Sequence, residues 1–202
     1  MLSLSFRPRH FVGTVWSNKQ KAGVHKQMEQ FFQYLDKISR PYPLQYAIAL
    51  YDEVMKHKPK VCYELGSSWG FTTCAIAKAL SDINEGGKLY SYEIDPRRVS
   101  SCKKNLSHLN LDSVCSVETK DIFHGNSLGF TCDFLYIDIH NNGDRVESVI
   151  KQMNEVDHIY FEGGSDIRNK VCTERKVSTF ENLSYDVIYG YDKKHSFSKL
   201  RK

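Results

Sequence analysis

Glu64-Leu65-Gly66-Ser67-Ser68-Trp69-Gly70-Phe71-Thr72-Thr73 begins at the end of an apolar run, Val61 to Leu65, and passes through two glycines and two small serines into a stretch of helical spacing. Glycine lets the backbone turn sharply and lets a ligand approach the main chain, and a helix start offers free N–H groups. The stretch predicts a strand, a ligand-binding turn and a helix N-terminus that can receive a carboxylate.

The same alternation continues outward. Apolar runs at Leu89 to Ile94, Val114 to Val117, Phe134 to Ile137 and Ile159 to Phe161 read as strands, with helical periods in the gaps between them. The best marked helix has Asp95 as its cap, Pro96 in its first turn and Val99, Cys102, Leu106 and Leu109 as its buried stripe. Val146, Val149, Ile150 and Met153 form a similar stripe between the fourth and fifth strands. Right-handed crossovers turn such an alternation into a parallel sheet with helices on both faces, an α/β doubly wound fold. Tyr185 to Tyr189 and Ser196 to Leu200 are too close for a crossover helix, so they predict an antiparallel hairpin at the end of the sheet.

Towards the start, Arg40-Pro41-Tyr42-Pro43 breaks two helical stretches apart. Before it, Val24, Met28, Phe31, Phe32 and Leu35 share one helical face; after it, Leu44, Ala47, Ile48, Leu50, Tyr51 and Val54 do the same. The break divides a helical extension, residues 1–42, from the main domain, residues 43–202. Both helices are expected to cover an edge of the sheet rather than to form a lid.

At 202 residues the chain can bury a core without disulfides or metal. Its 41% hydrophobic and 26% charged residues are ordinary for a soluble domain. A net charge of +4 falls far short of a dedicated nucleic-acid binder. The six scattered cysteines contain no Cys-x-x-Cys pair and read as buried thiols. No apolar stretch has the length of a signal peptide or a membrane span, so a cytoplasmic location is expected and no membrane partner.

The strand ends carry acids. The Gly-x-Gly-x-x-Gly fingerprint of dinucleotide binding is absent, and Glu64 would repel dinucleotide phosphates. An acid beside a glycine turn suits a cationic ligand, and S-adenosylmethionine carries both an ammonium and a sulfonium; Glu64 can meet its amino-acid end directly or through water. Glu93, in Tyr92-Glu93-Ile94-Asp95, ends the second strand 29 residues later, where an acid can accept hydrogen bonds from two ribose hydroxyls. After the third strand, in Thr119-Lys120-Asp121-Ile122, Asp121 can accept from an adenine amino group and Ile122 can cover a ring face.

With these motifs the sequence resembles the class I S-adenosylmethionine-dependent methyltransferases, in particular the small O-methyltransferase-like and cephalosporin hydroxylase-like branch, over roughly Pro43 to Lys202. Glu64 to Thr73 is similar to the family's first motif, Tyr92 to Asp95 to its second, and Asp133-Phe134-Leu135-Tyr136-Ile137-Asp138-Ile139-His140 to its fourth. The resemblance implies a Rossmann-like, mostly parallel seven-stranded sheet whose last strand is antiparallel. It implies a cofactor site of Glu64, Gly66, Ser67, Ser68, Gly70, Thr72, Glu93, Ile94, Asp121, Ile122 and Asp138, and a homodimer. Two departures stand out. Ser68 replaces the central glycine of the commonest first motif, and Glu162-Gly163-Gly164 stands where metal-dependent members carry an Asp-Asn pair. A magnesium site from Asp138 and Glu162 is therefore an open alternative to metal-free transfer.

Methyl transfer is an in-line displacement that gains most from holding nucleophile and sulfonium in alignment. The nucleophile needs activation by a metal or by a neutral histidine. Asp138 as orienting acid, His140 as base and Glu162 as a substrate or metal contact are the catalytic candidates; alternatively Asp138 caps a turn, His140 is a loop residue and Glu162-Gly163-Gly164 is only a turn. Trp16, Tyr42, Tyr46 and Trp69 are candidate pocket aromatics, or core. The acceptor is expected to be a small molecule. Two other readings stay open: an RNA or other nucleic-acid methyltransferase using Arg168, Lys170, Arg175, Lys176 and the basic tail, and a binding protein without transfer activity. Neither the Asp/Asn-Pro-Pro-aromatic motif nor a Pro-Cys nucleophile occurs.

Overall fold

A computed structural model describes residues 18–38, 42–123, 131–139, 143–153, 155–190 and 194–201, with side chains from residue 26 onward in the first helix. The elements run α1 (Asn18–Ile38), α2 (Leu44–His57), β1 (Val61–Leu65), α3 (Phe71–Ile83), β2 (Lys88–Glu93), α4 (Pro96–His108), β3 (Cys115–Thr119), β4 (Thr131–Ile137), α5 (Gly143–Gln152), β5 (Glu155–Glu162), α6 (Asp166–Glu174), β6 (Tyr185–Tyr189) and β7 (Phe197–Leu200). The described residues form a seven-stranded sheet in the order β3-β2-β1-β4-β5-β7-β6. All neighbours are parallel except β5 with β7 and β7 with β6. This is the doubly wound sheet with an antiparallel end that the sequence predicts.

Strand alternation splits the core between two faces. Cys62, Leu89, Val117, Phe134, Tyr136, Tyr160 and Phe197 point to the face that carries α1 to α4. Leu65, Tyr92, Leu135, Ile137 and Phe161 point to the other, against Val146 and Val149 of α5 and against Phe180. Asp95 caps α4 by accepting from the Arg97 N–H, and Val99, Cys102 and Leu106 are its buried stripe.

Three expectations need correction. The front helices cover a face, not an edge: Met28, Phe31, Phe32 and Leu35 of α1 join the same core cluster as α2 and α3. The phenol of Tyr46 on α2 meets that of Tyr136 on β4, and Tyr160 on β5 donates to Glu53 of α2 at 2.5 Å. The cause is that β4, β5 and β7 present aromatic rings there, and only an apolar helix stripe can bury them. The third strand starts one residue later and runs further than its apolar run, because the Val114 N–H turns back to the Leu111 carbonyl. Helix α6 lies in the segment after the fifth strand, where hydrophobic spacing predicts no element. Its buried side chains are Arg168 and Cys172, which leaves no apolar stripe to read.

The sheet order reverses between β1 and β4, and ligands bind open α/β sheets at the carboxyl edge of such a switch point. The glycine turn after β1, Glu93 at the end of β2 and Asp138 after β4 all lie at that edge.

Candidate functional site

The turn after β1 is built on left-handed backbone at three of five positions: Gly66 (φ 98°), Ser68 (φ 47°) and Gly70 (φ 95°). Gly66 has a further reason to be glycine, since a Cβ there would overlap the carbonyl of Asp138 at the tip of β4. At Gly70 a Cβ would lie 2.8 Å from the Cys102 thiol of α4. Ser68 takes the conformation that glycine takes in the commonest first motif, at a cost of about 1–2 kcal/mol for a residue with a side chain. Its N–H donates to Glu93 Oε2 at 2.9 Å, which ties the turn to the end of β2. The N–H groups of Gly66 and Ser67 both point to the Tyr92 carbonyl, at 2.8 and 3.2 Å, and the Asp138 N–H donates to the Leu65 carbonyl at 2.8 Å. The tips of β1, β2 and β4 are thus locked together beneath the turn.

Glu64 is fully buried under that turn. Thr72 donates to Oε1 at 2.6 Å, while Thr73 and Ser91 donate to Oε2 at 2.5 and 2.6 Å. Burial raises its pKa to about 7, against the lowering effect of the three hydroxyls. Its carboxylate supports the turn from below, on α3 and β2, with Thr72 as a link between the two.

Glu93 is almost fully buried. Besides the Ser68 N–H it accepts from the N–H groups of Ile94 and Asp95 at 2.9 and 3.1 Å, all through backbone donors. Ile94, beside it, is 60% exposed, and Trp69 of the glycine turn is 47% exposed. These are large apolar surfaces at the mouth of a polar turn, suited to a flat ring. The end of β3 lies next to Glu93, since Thr119 pairs with it and the Lys120 N–H donates to its carbonyl. Asp121 accepts from the Phe123 N–H at 2.9 Å, and Ile122 is partly buried against the α5 side of the core.

Asp138 faces the glycine turn from β4. A cleft between them is lined by Ile38, Tyr42, Ser67, Ser68, Trp69, Phe71, Thr72 and Asp138, so the end of α1 and Tyr42, two residues before α2, form its far wall. Tyr42 donates to Asp138 Oδ2 at 3.0 Å and stacks on Phe71 with ring centroids 5.8 Å apart. Burial raises the Asp138 pKa to about 6, while the Tyr42 hydrogen bond and the charge of Arg168 lower it. Tyr46 lies deeper, fully buried among Tyr136, Tyr189 and Phe197.

Next to this cleft is a buried ionic group. Glu162, at the end of β5, and Arg168, on α6, are 1% and 7% exposed and approach to 3.4 Å. That contact lacks hydrogen-bond geometry: both Glu162 oxygens and Arg168 Nε are without a hydrogen-bond partner among the described residues. Burial and the nearby Asp138 push the Glu162 pKa well up, opposed by Arg168. His195, between the last two strands, sets its ring 4.8 Å from that of Tyr42, and its buried Nδ1 is also without a partner among the described residues. Burial, Arg168 and Lys194 lower its pKa.

The predicted site residues thus divide. Gly66, Ser67, Ser68, Gly70, Thr72, Glu93 and Asp138 are brought together, and Glu162 lies one group further on. His140 and Trp16 lie outside the described residues. Arg168 leaves the proposed basic surface, being buried against Glu162, whereas Lys170, Arg175 and Lys176 are exposed. The magnesium alternative finds no support: the cation that Glu162 meets is the Arg168 guanidinium, and among the described residues no group of three His, Cys, Asp or Glu side chains could hold a metal ion. Sequence reading missed Tyr42 as a partner of Asp138, the pairing of Arg168 with Glu162, and His195 altogether. Only Tyr42 carried a signal, as an aromatic flanked by prolines.

No family model and no curated protein sequence matches the chain. Solved structures do. An O-methyltransferase from Bacillus cereus in complex with SAH matches with a TM-score of 0.60 at 17% identity, over 88% of this chain and 91% of that one. The SAH-bound Podospora anserina methyltransferase matches at 0.62 and 11% identity, over 95% of this chain and 100% of that one. An RNA methyltransferase from Salinibacter ruber in complex with S-adenosyl-L-homocysteine matches at 0.55 and 13% identity, over 79% of this chain and 92% of that one. These likenesses establish the Rossmann-like methyltransferase fold. Among the described residues no helix is long and apolar enough to cross a membrane.

Proposed function

We propose that this protein is an S-adenosylmethionine-dependent methyltransferase acting on a hydroxyl of a small-molecule acceptor. The observation that carries the reading is the junction of Gly66, Glu93 and Asp138 at the switch point of the sheet, through the Ser68 to Glu93 hydrogen bond and the packing of Gly66 on Asp138. The residues present fit the cofactor. The cleft pairs small serines and a glycine backbone with the carboxylate of Asp138, Glu93 keeps acceptor capacity on Oε2, whose one donor among the described residues is the Ser68 N–H, for a ribose hydroxyl, and Ile94 and Trp69 offer apolar surface to a purine. In this reading Asp121 and Ile122 border the adenine, and Glu64 acts through Thr72 and Thr73 to hold the turn.

The cofactor supplies a methyl group activated on a positive sulfur. The protein's part is positioning and charge. Asp138 places a carboxylate, fixed by Tyr42, at the carboxyl edge where the sulfonium would lie. Tyr42 and Ile38 close the cleft from the extension of residues 1–42, which excludes water from the reacting atoms. A small acceptor accords with a cleft walled in by aromatic side chains and with the burial of Arg168, which removes one cation from any nucleic-acid surface. A homodimer in the cytoplasm belongs to the same reading.

Isothermal titration calorimetry with S-adenosylhomocysteine tests the reading. Micromolar or tighter binding to the purified chain is expected, and absence of binding at millimolar ligand would refute it.

A further inference from the structure

Four carboxylates gather at the carboxyl edge of the sheet: Glu64, Glu93 and Glu162 are buried, and Asp138 is partly buried where it lines the cleft. Among the described residues their one buried cation is the Arg168 guanidinium, which meets Glu162 at 3.4 Å. Glu64 has three hydroxyl donors and Glu93 three backbone N–H donors, so the protein itself solvates those two groups. The other two acids are served less well. Among the described residues the Asp138 carboxylate accepts from the neutral phenol of Tyr42, and both oxygens of Glu162 have no hydrogen-bond partner. One guanidinium therefore stands against two carboxylates. Two acids that share a desolvated site cannot both ionise at low cost, and whichever of them Arg168 balances, the other is left without a counter-ion.

We propose that the Asp138–Glu162 pair lacks one positive charge, which a proton supplies in the ligand-free protein and a sulfonium supplies in the loaded one, so that S-adenosylmethionine binds with release of a proton and S-adenosylhomocysteine without. This rests on the methyltransferase reading and adds to it a proton-linked preference for cofactor over product. The two ligands differ by a methyl group and by the positive charge it leaves on sulfur, and a site that senses that charge tells them apart. When the cofactor binds, the O–H bond of the protonated acid breaks, the carboxylate keeps the electron pair, and the proton passes to solvent. After transfer the sulfur is a neutral thioether, and the pair takes a proton back from solvent. The groups facing Asp138 agree with this. Glu162 from β5, Glu93 from β2 and Glu64 from β1 are acids; Tyr42 and Tyr46 from the α2 side and Tyr136 from β4 are neutral phenols. Against them stands Arg168 of α6, with His195 and the exposed Lys194 beyond it. Burial raises the Asp138 pKa to about 6, which puts the exchange close to neutral pH.

The test is calorimetry of the full chain in buffers of different ionisation enthalpy, which counts the protons exchanged on binding. At about pH 6 both ligands carry a protonated amino group, so the count reports on the protein. S-adenosylmethionine should release at least about half a proton there, and S-adenosylhomocysteine close to none. Between about pH 5 and pH 7 the affinity for the first should rise at least about tenfold, and that for the second should change by less than about threefold. Asp138→Asn leaves one carboxylate to one guanidinium and should abolish the release. Tyr42→Phe, which removes a hydrogen bond that favours the ionised Asp138, should increase it. Glu64→Gln should preserve it, since Glu64 has donors of its own. Equal release with the two ligands, or undiminished release in Asp138→Asn, would overturn the proposal. Should Asp138→Asn not fold, a release in Tyr42→Phe no greater than in the parent chain overturns it instead. If neither ligand binds, the cofactor reading itself fails and the proton linkage falls with it. Binding of both with equal release rejects the linkage alone.

Discussion

Gly66 lies against the main-chain carbonyl of Asp138, so closely that a methyl group on its Cα would overlap the oxygen. The first turn and the fourth strand are therefore a single unit, and the carboxylate of Asp138 is placed by the backbone that Gly66 leaves room for.

Gly66→Ala should be severe on two counts. It forces a side chain into φ 98° and into the Asp138 carbonyl, which together cost about 2–5 kcal/mol. Urea denaturation should show that loss, and calorimetry should show no S-adenosylhomocysteine binding under conditions where the variant is still folded.

Glu93→Ala should reduce S-adenosylhomocysteine affinity by at least about tenfold, because a buried ribose would lose its hydrogen bond to a charged acceptor. The N–H groups of Ser68, Ile94 and Asp95 also lose their acceptor, so stability should fall as well. Unchanged affinity by calorimetry would remove Glu93 from the ribose site.

Glu64 gives a prediction about pH. Its folded pKa of about 7 lies above the 4.5 of a free glutamate, so the native state holds a proton that the unfolded chain releases. Its contribution to stability is fully present below pH 4.5 and is lost as pH rises through about 7. The loss is on the order of 3 kcal/mol between those limits. Glu64→Gln cannot ionise, so urea midpoints measured at pH 5 and pH 8 should differ less in the variant than in the parent.

The front helix reaches the glycine turn through one amide. Tyr34 of α1 donates to Asn105 Oδ1 at 2.8 Å, and Asn105 Nδ2 donates to the Trp69 carbonyl at 2.8 Å. Asn105→Asp keeps the first bond but sets a carboxylate against the carbonyl. It should weaken S-adenosylhomocysteine binding severalfold by calorimetry, more than Tyr34→Phe, which costs about 1 kcal/mol of stability.

Tyr42→Phe removes the one hydrogen bond that lowers the Asp138 pKa. Carboxyl-carbon NMR should show Asp138 titrating above its value of about 6 in the parent chain.

Much of the fold was legible because strands and helices here follow regular apolar periods. The stripe of α4, the run of β4 and the spacing of the last two strands each demand one local structure. The candidate site was legible for a related reason: Gly66, Glu93 and Asp138 each stand at the carboxyl end of a strand, so the order of the elements fixes their place. Helix α6 was not legible, since its inward side chains are Arg168 and Cys172 and a buried arginine reads as a surface one. His195 gave no signal either. It stands in the connection of a terminal hairpin, far along the chain from every motif.

By itself the sequence determined the order of elements, the parallel sheet with its antiparallel end, and the acids and glycines that meet at the switch point, because local periodicity and turn chemistry act over a few residues. Only the tertiary structure decided that Glu64 faces three hydroxyls, that Arg168 is paired with Glu162, and that Tyr42 stands between Asp138 and His195. Those relations join residues dozens of positions apart, and they follow from which side chains fill the space left when the two faces of the sheet are packed.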